Sequence, residues 1–168
     1  MENITYLSLG SNIGDREASL RDAIRRLSGL GTITAVSSLY ETEPMEVTDQ
    51  PWFLNAAIGL RTRLAAAEVM REILVIEAAM GRVRTRPKGP RTIDIDILVY
   101  DDAVITEPGL TIPHAAMHQR LFVLAPLAEI APEVRHPVLH RTVLELRDSL
   151  VAGGQVVHRK DAPWFRNA

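Results

Sequence analysis

Residues 92–100 read TIDIDILVY, and this regular exchange of isoleucine and aspartate permits few structures. In an extended strand successive side chains point to opposite faces, so Ile93, Ile95 and Ile97 share one side and Asp94 and Asp96 the other. The isoleucine side calls for a core. The opposite side carries two carboxylates whose Cα atoms lie roughly 7 Å apart, two residues of strand rise. Aspartate is depleted in strands, and like charges on one face repel. The pair therefore points toward chemistry, although a plain solvated strand face would carry the same letters.

The order of the other elements specifies the kind of sheet. ITYLSLGSN predicts a strand that ends at Gly10 and the turn-forming Ser11–Asn12. In the segment that follows, Leu20, Ala23, Ile24, Leu27 and Leu30 recur at helical spacing, with Asp15 as N-cap and Gly31 as stop. TITAVSSLYET is β-branched and predicts a strand, EPMEVTDQPW a loop, and WFLNAAIGLRTR a third strand. From Leu64 to Met80 the residues Val69, Met70, Ile73, Ile76 and Met80 predict a second amphipathic helix closed by Gly81. A cationic loop over 82–91 leads into TIDIDILVY, and DDAV predicts a hairpin turn into a short partner strand. FVLAPLAEIAP and TVLELRDSLVAGG predict two more helices, and QVVHR a last short strand. The order β-α-β-β-α-β predicts a ferredoxin-like α+β fold, an antiparallel sheet with helices on one face and C-terminal additions, as one domain over 1–168.

Composition limits the partners. A net charge of −2 in 168 residues provides no overall field for nucleic acid or an anionic membrane, so any anion site must be local. With no cysteine there are no disulfides, thiolate metal sites or cysteine nucleophile. The start MENITYLSLG lacks the basic and long apolar regions of a signal peptide, and no apolar run suffices to span a bilayer. The expectation is a soluble cytoplasmic protein with no nucleic acid or membrane partner.

One segment is a candidate for such a local anion site. GRVRTRPKGPR supplies Arg82, Arg84, Arg86, Lys88 and Arg91 and runs directly into the acid pair. Arginine presents a planar fork suited to phosphate oxygens, and Mg²⁺ takes one or two carboxylates while completing its shell with water and substrate phosphates. Cations beside paired carboxylates thus predict a metal–triphosphate site, although a charge run is more commonly a solvated loop. The sequence has no G-x-x-x-x-G-K-[ST], and GSNIG does not match the dinucleotide fingerprint, so a nucleotide would be held without a P-loop. HAAMH and HPVLH each space two histidines four apart, and His114 with His118 has the spacing of zinc ligands on a helix. Neither has the glutamate of H-E-x-x-H, and His114 with Arg120 reads better as two further phosphate donors.

GSN after the first strand, YETEP, DQPWFLNAA, GRVR, GPRTIDIDIL and IPHAAMHQRLFVLAPL follow one another in an order and spacing that resembles the 6-hydroxymethyl-7,8-dihydropterin pyrophosphokinase family of folate biosynthesis. The resemblance covers roughly residues 3 to 134. It implies a ferredoxin-like fold and transfer of pyrophosphate from MgATP to the pterin hydroxymethyl group, with release of AMP. It also implies Asp94 and Asp96 as ligands of two Mg²⁺ ions. Arg82, Arg91, His114 and Arg120 would form the triphosphate-binding set, with Arg84 a weaker member, and Arg82 and Arg91 would act catalytically. Thr42 and Asn55 match the positions that hydrogen-bond the pterin edge, and Phe53 and Phe122 the aromatic pair that sandwiches its ring. Lys88 stands where many members have an aromatic residue, Ala115 where some have tyrosine, and Glu43 where proline is common. Glu77 falls at a position typical of the family and receives no role here.

Two other functions fit parts of the pattern. A metal-dependent nucleotidyltransferase also combines an early GS with an acid pair, but there the acids follow the glycine closely. An RNA-binding module on the same fold class would need an aromatic RNP-like strand, and none is present.

Overall fold

The computed structural model describes residues 1–42, 52–81 and 92–165. Strand β1 (Asn3–Ser11) is central, pairing antiparallel with β4 (Phe53–Thr62) on one side and β5 (Asp94–Tyr100) on the other. The far edge of β4 pairs with β2 (Thr32–Val36) and then with β3 (Tyr40–Thr42). Strand β8 (His158–Arg159) adds to β3, giving the order β5-β1-β4-β3-β8 with β2 beside β4. This is the antiparallel α+β sheet that the element order predicts.

Helices α1 (Arg16–Leu27) and α2 (Ala66–Ala79) cover one face. The Asp15 side chain accepts from Ala18 N at 3.1 Å, so the expected N-cap satisfies a donor that helix geometry leaves unpaired. At the start of α2, Glu68 reaches back to Ala65 N at 2.9 Å. Leu20, Ile24 and Leu27 of α1 and Val69, Ile73 and Ile76 of α2 pack against Leu7, Leu9, Ile58, Leu60, Ile95 and Ile97 of the sheet. Each large aliphatic side chain so buried contributes about 1.5–3 kcal/mol.

Three expectations are corrected. First, helices do not lie on one face only: α3 (Leu121–Ile130) and α4 (Val143–Ala152) cover part of the other, packing Leu124, Leu127, Val143 and Leu146 on Ala57, Leu98 and Val99. Leu98 reaches that face by ordinary alternation, and a register shift adds Val99, for Leu7 pairs with Ile97 but Tyr6 with Val99. Past this bulge Leu98 and Val99 both join the second cluster and Tyr100 returns to the first, so β5 presents apolar surface on both sides. Second, the strand expected over residues 32–42 is interrupted. Ser37 N donates to Ala57 O at 2.9 Å, but Ala57 N is satisfied by the Ser37 hydroxyl rather than its carbonyl, also at 2.9 Å. Third, Asp101 and Asp102 do make a turn, with Ala103 N on Tyr100 O at 3.0 Å, but the strand that follows does not pair with β5. That strand, β6 (Ile105–Glu107), pairs with β7 (Leu110–Ile112) through a turn that holds Gly109 at φ +78°. Among the described residues no helix is long and apolar enough to cross a membrane.

Candidate active site

Sheet register assembles the site. Asp94 lies opposite Gly10, Gly10 opposite Asn55, and Asn55 opposite Tyr40, forming one row across β5, β1, β4 and β3. Directly opposed residues share a face, and strands lie about 4.8 Å apart, so Asp94 and Asn55 sit roughly 10 Å apart on the same side. Asp96 faces Ser8 in the next row, half-buried like Asp94, while Ile93, Ile95 and Ile97 are buried beneath α1 and α2. The predicted division of this strand into an apolar and an acidic face is therefore present.

At the other end of the row, Asn55 is 3% exposed and its Nδ2 donates to Thr42 Oγ1 at 2.9 Å. Thr42 lies opposite Phe53, which is half-buried. Between the two ends, Gly10 is a gap kept open by necessity. A Cβ there would come within 3.0 Å of Asn55 Oδ1 and 3.7 Å of Phe53 Cδ1. The early glycine thus serves close packing across the sheet, where the sequence suggested only the end of a strand.

Helix α3 brings further groups to this end. Its Leu121 and Ala125 pack on Tyr40, the residue opposite Asn55. The following residue, Phe122, is half-buried, and the Arg120 guanidinium lies 5.7 Å from its ring centroid. His114 leaves β7 with its N–H on Leu98 O at 2.9 Å, and its Nδ1 accepts from Ala116 N at 3.2 Å. Burial holds His114 below the ordinary imidazole range; the Arg120 charge adds to this and the Asp94 charge opposes it. His114 therefore lies within reach of both the Arg120 and the Asp94 charge. With Nδ1 occupied as an acceptor, the neutral ring carries its proton on Nε2 and offers a donor there.

His114 and His118 do not act as a pair. His118 meets His136 edge to face at 6.0 Å between centroids, while His114 belongs with Asp94 and Arg120. Among the described residues no group of three or more His, Cys, Asp or Glu could hold a metal. Two carboxylates on one face do fit Mg²⁺, which commonly takes only one or two from protein and the rest from water and phosphate. The predicted cations Arg82, Arg84 and Arg91 lie outside the described residues, as do Arg86 and Lys88.

Glu77 has a definite place. It is 4% exposed, and its Oε2 accepts the backbone N–H of Ile95 at 2.9 Å. Strand β5 ends the sheet, and Glu77 satisfies its outward donor midway between the two aspartates. A signal was present in the sequence, because Glu77 continues the stripe Val69–Ile73, where an exposed helix residue would not fall.

Comparison with known proteins is consistent with this geometry. The family description 7,8-dihydro-6-hydroxymethylpterin-pyrophosphokinase matches residues 6–132. The 2-amino-4-hydroxy-6-hydroxymethyldihydropteridine pyrophosphokinase of Methylorubrum extorquens is 49% identical over 131 residues, covering 77% of this chain and 83% of the relative. The folic acid synthesis protein fol1 of Schizosaccharomyces pombe is 44% identical over 153 residues, covering 90% of this chain but only 21% of that much longer protein. In fold, the crystal structure of Plasmodium falciparum HPPK-DHPS wild type with pteroate superposes with a TM-score of 0.75 at 19% identity, over 90% of this chain and 43% of the other. With a match across most of its length and a near half-identical relative of similar extent, this chain belongs to the 7,8-dihydro-6-hydroxymethylpterin-pyrophosphokinase family.

Proposed function

We propose that this chain transfers the β,γ-pyrophosphoryl unit of ATP to the hydroxymethyl group of 6-hydroxymethyl-7,8-dihydropterin, releasing AMP, as a step of folate biosynthesis. The observation that carries this reading is the single sheet face that joins the acid pair Asp94 and Asp96 to the Asn55–Thr42 amide–hydroxyl pair across Gly10. Family membership supports the same reaction.

A flat heterocycle with donors and acceptors along its rim needs aromatic faces and a fixed amide. Phe53 and Phe122 are assigned the faces, and Asn55 with Thr42 the rim. Asp94 and Asp96 would hold two Mg²⁺ ions, which supply charge neutralisation to the triphosphate. Arg120 and the Nε2–H of His114 bind phosphate oxygens beside them, and Arg82, Arg84 and Arg91 are assigned to the same triphosphate. The pterin hydroxyl oxygen attacks the β-phosphorus in line. The bond from that phosphorus to the α,β-bridging oxygen breaks, AMP departs with the electron pair, and the hydroxyl proton passes to water. Such a loose transition state asks the protein mainly for positioning and electrostatic stabilisation. Loss of one pre-placed donor costs about 2.7–4 kcal/mol of barrier.

The test is incubation with ATP, Mg²⁺ and hydroxymethyldihydropterin followed by nucleotide analysis. AMP and the pyrophosphorylated pterin are expected. Free pyrophosphate with a nucleotidylated product would establish nucleotidyl transfer instead, and RNA binding without ATP turnover would make the chain a binding module.

A further inference from the structure

Residues 158–164 lie beyond the stretch matched to the family, yet they are fastened to the strand that carries Thr42. Arg159 pairs with Tyr40 and His158 with Glu41, and Lys160 N donates to Leu39 O at 2.8 Å. Farther along, Trp164 is 7% exposed, and its indole N–H donates to Ser37 O at 2.8 Å. That carbonyl is available because the Ser37 hydroxyl, not its carbonyl, serves Ala57 N. Arg21 of α1 in turn donates to Trp164 O at 2.9 Å. The interruption between β2 and β3 is therefore the place where the tail is bolted down.

The same tail reaches the other half of the pterin site. The His158 ring stacks on Trp52 with centroids 5.7 Å apart and planes 26° apart. Trp52 immediately precedes Phe53, and its carbonyl accepts from Arg16 at 2.9 Å. The ion pairs Lys160–Glu41 at 3.2 Å and Arg159–Glu129 at 3.8 Å are exposed and contribute little. The backbone pairing, the buried indole and the stacked ring are the substantive contacts. Strand β3 has only three residues, and a strand that short frays unless both edges are held. One edge is held by β4 and the other by β8.

We infer that residues 158–164 form a strap that positions Thr42 and Phe53, and so sets pterin affinity through β3 and Trp52 rather than by touching substrate. The inference rests on the pyrophosphokinase reading above. Its test uses the full-length chain with His158→Ala, Trp164→Ala and Trp164→Phe, measuring pterin KM, ATP KM, kcat, melting temperature and pterin affinity beside an ATP analogue. The expected result is a rise in pterin KM of about two- to twelve-fold in His158→Ala and Trp164→Ala, the worth of one aromatic stack for the first and of one hydrogen bond for the second. ATP KM should be unchanged, and Trp164→Phe, which keeps the bulk but loses the N–H, should fall between. Because the His158–Trp52 stack lies at the surface, His158→Ala should lower the melting temperature by no more than a few degrees, so its altered pterin KM would not reflect unfolding. Unchanged pterin KM in His158→Ala, or pterin and ATP KM rising together, would overturn the strap while leaving the reaction intact. A wild-type chain that neither binds pterin nor releases AMP would overturn both.

Discussion

Replacing Gly10 by alanine tests the site at its most crowded point. The added methyl would stand 3.0 Å from Asn55 Oδ1, about half an ångström inside ordinary contact of ~3.5 Å. Asn55 is buried and fixed by its 2.9 Å bond to Thr42, so it can retreat only by stretching that bond. Overpacking of this kind costs about 1–3 kcal/mol, offset by about 0.5–1 kcal/mol because alanine restricts the unfolded chain more than glycine does. A net loss near 1 kcal/mol lowers the melting temperature by about 2–4 °C in a chain of this size. The functional effect falls on one substrate. Displacing one hydrogen bond, worth about 0.5–1.5 kcal/mol net, raises pterin KM by about two- to twelve-fold. Initial rates at saturating MgATP with varied pterin, and the converse, separate the two half-sites. A Gly10→Ala protein with the melting temperature and pterin KM of wild type would refute the packing argument. A rise confined to ATP KM would assign the gap to the acid pair instead.

Other perturbations give distinct signatures. Asp94→Asn and Asp96→Asn should nearly abolish AMP release. They should also lose most of the melting-temperature rise given by an MgATP analogue, which for ligand at 100 times Kd is worth about 2.7 kcal/mol; wild-type values for either would leave IDIDIL a plain strand. Glu77→Ala strands the buried Ile95 N–H and should cost about 1–3 kcal/mol in urea unfolding, whereas Glu77→Gln keeps an acceptor and should restore most of it. Equal loss in both would show that the charge rather than the hydrogen bond matters. His136 is held below the ordinary imidazole value by burial, then by the neighbouring His118 and His140 charges, so native protein binds fewer protons there than unfolded chain. Its contribution is present above the unfolded pKa of about 6.5 and is lost as pH falls through the folded value. Unfolding midpoints should thus decline between pH 7 and 5, and less so in His136→Asn, which can still accept from Leu139 N; identical slopes would remove His136 as the cause.

Much of this was legible in the chain itself, for physical reasons. Period-two alternation exposed the two faces of β5, and helical spacing marked the stripes of α1 and α2, because burial against a core imposes those periods. Asp15 acts as the cap its side chain suggests. What escaped depended on partners distant in sequence. Nothing in TITAVSSLYET shows that Ser37 will bond through its hydroxyl, because that choice is completed by Trp164, 127 residues away. The extra residue at Leu98 is silent in a uniformly apolar ILVY, yet it decides which faces Val99 and Tyr100 take past the acids. The pairing of β6 with β7 rather than β5 likewise left no local trace. At the site, alternation marked the acid pair, Asn55 and Thr42 were singled out only through the family resemblance, and the crossing row through Gly10 required the sheet register.

The outer edge of β3 also has a history during synthesis. Its partner β8 begins at His158, 116 residues after Thr42 (158 minus 42), and at about 5–20 residues per second those residues take roughly 6 to 23 s to emerge. Through that interval a nascent chain offers open N–H and C=O groups along β3 to any other strand in reach. Completing the sheet thus waits on the synthesis of His158 and Arg159. Slowing translation over residues 130–157, or crowding many ribosomes on one message, should promote pairing between nascent chains at this edge before the strand meant for it arrives.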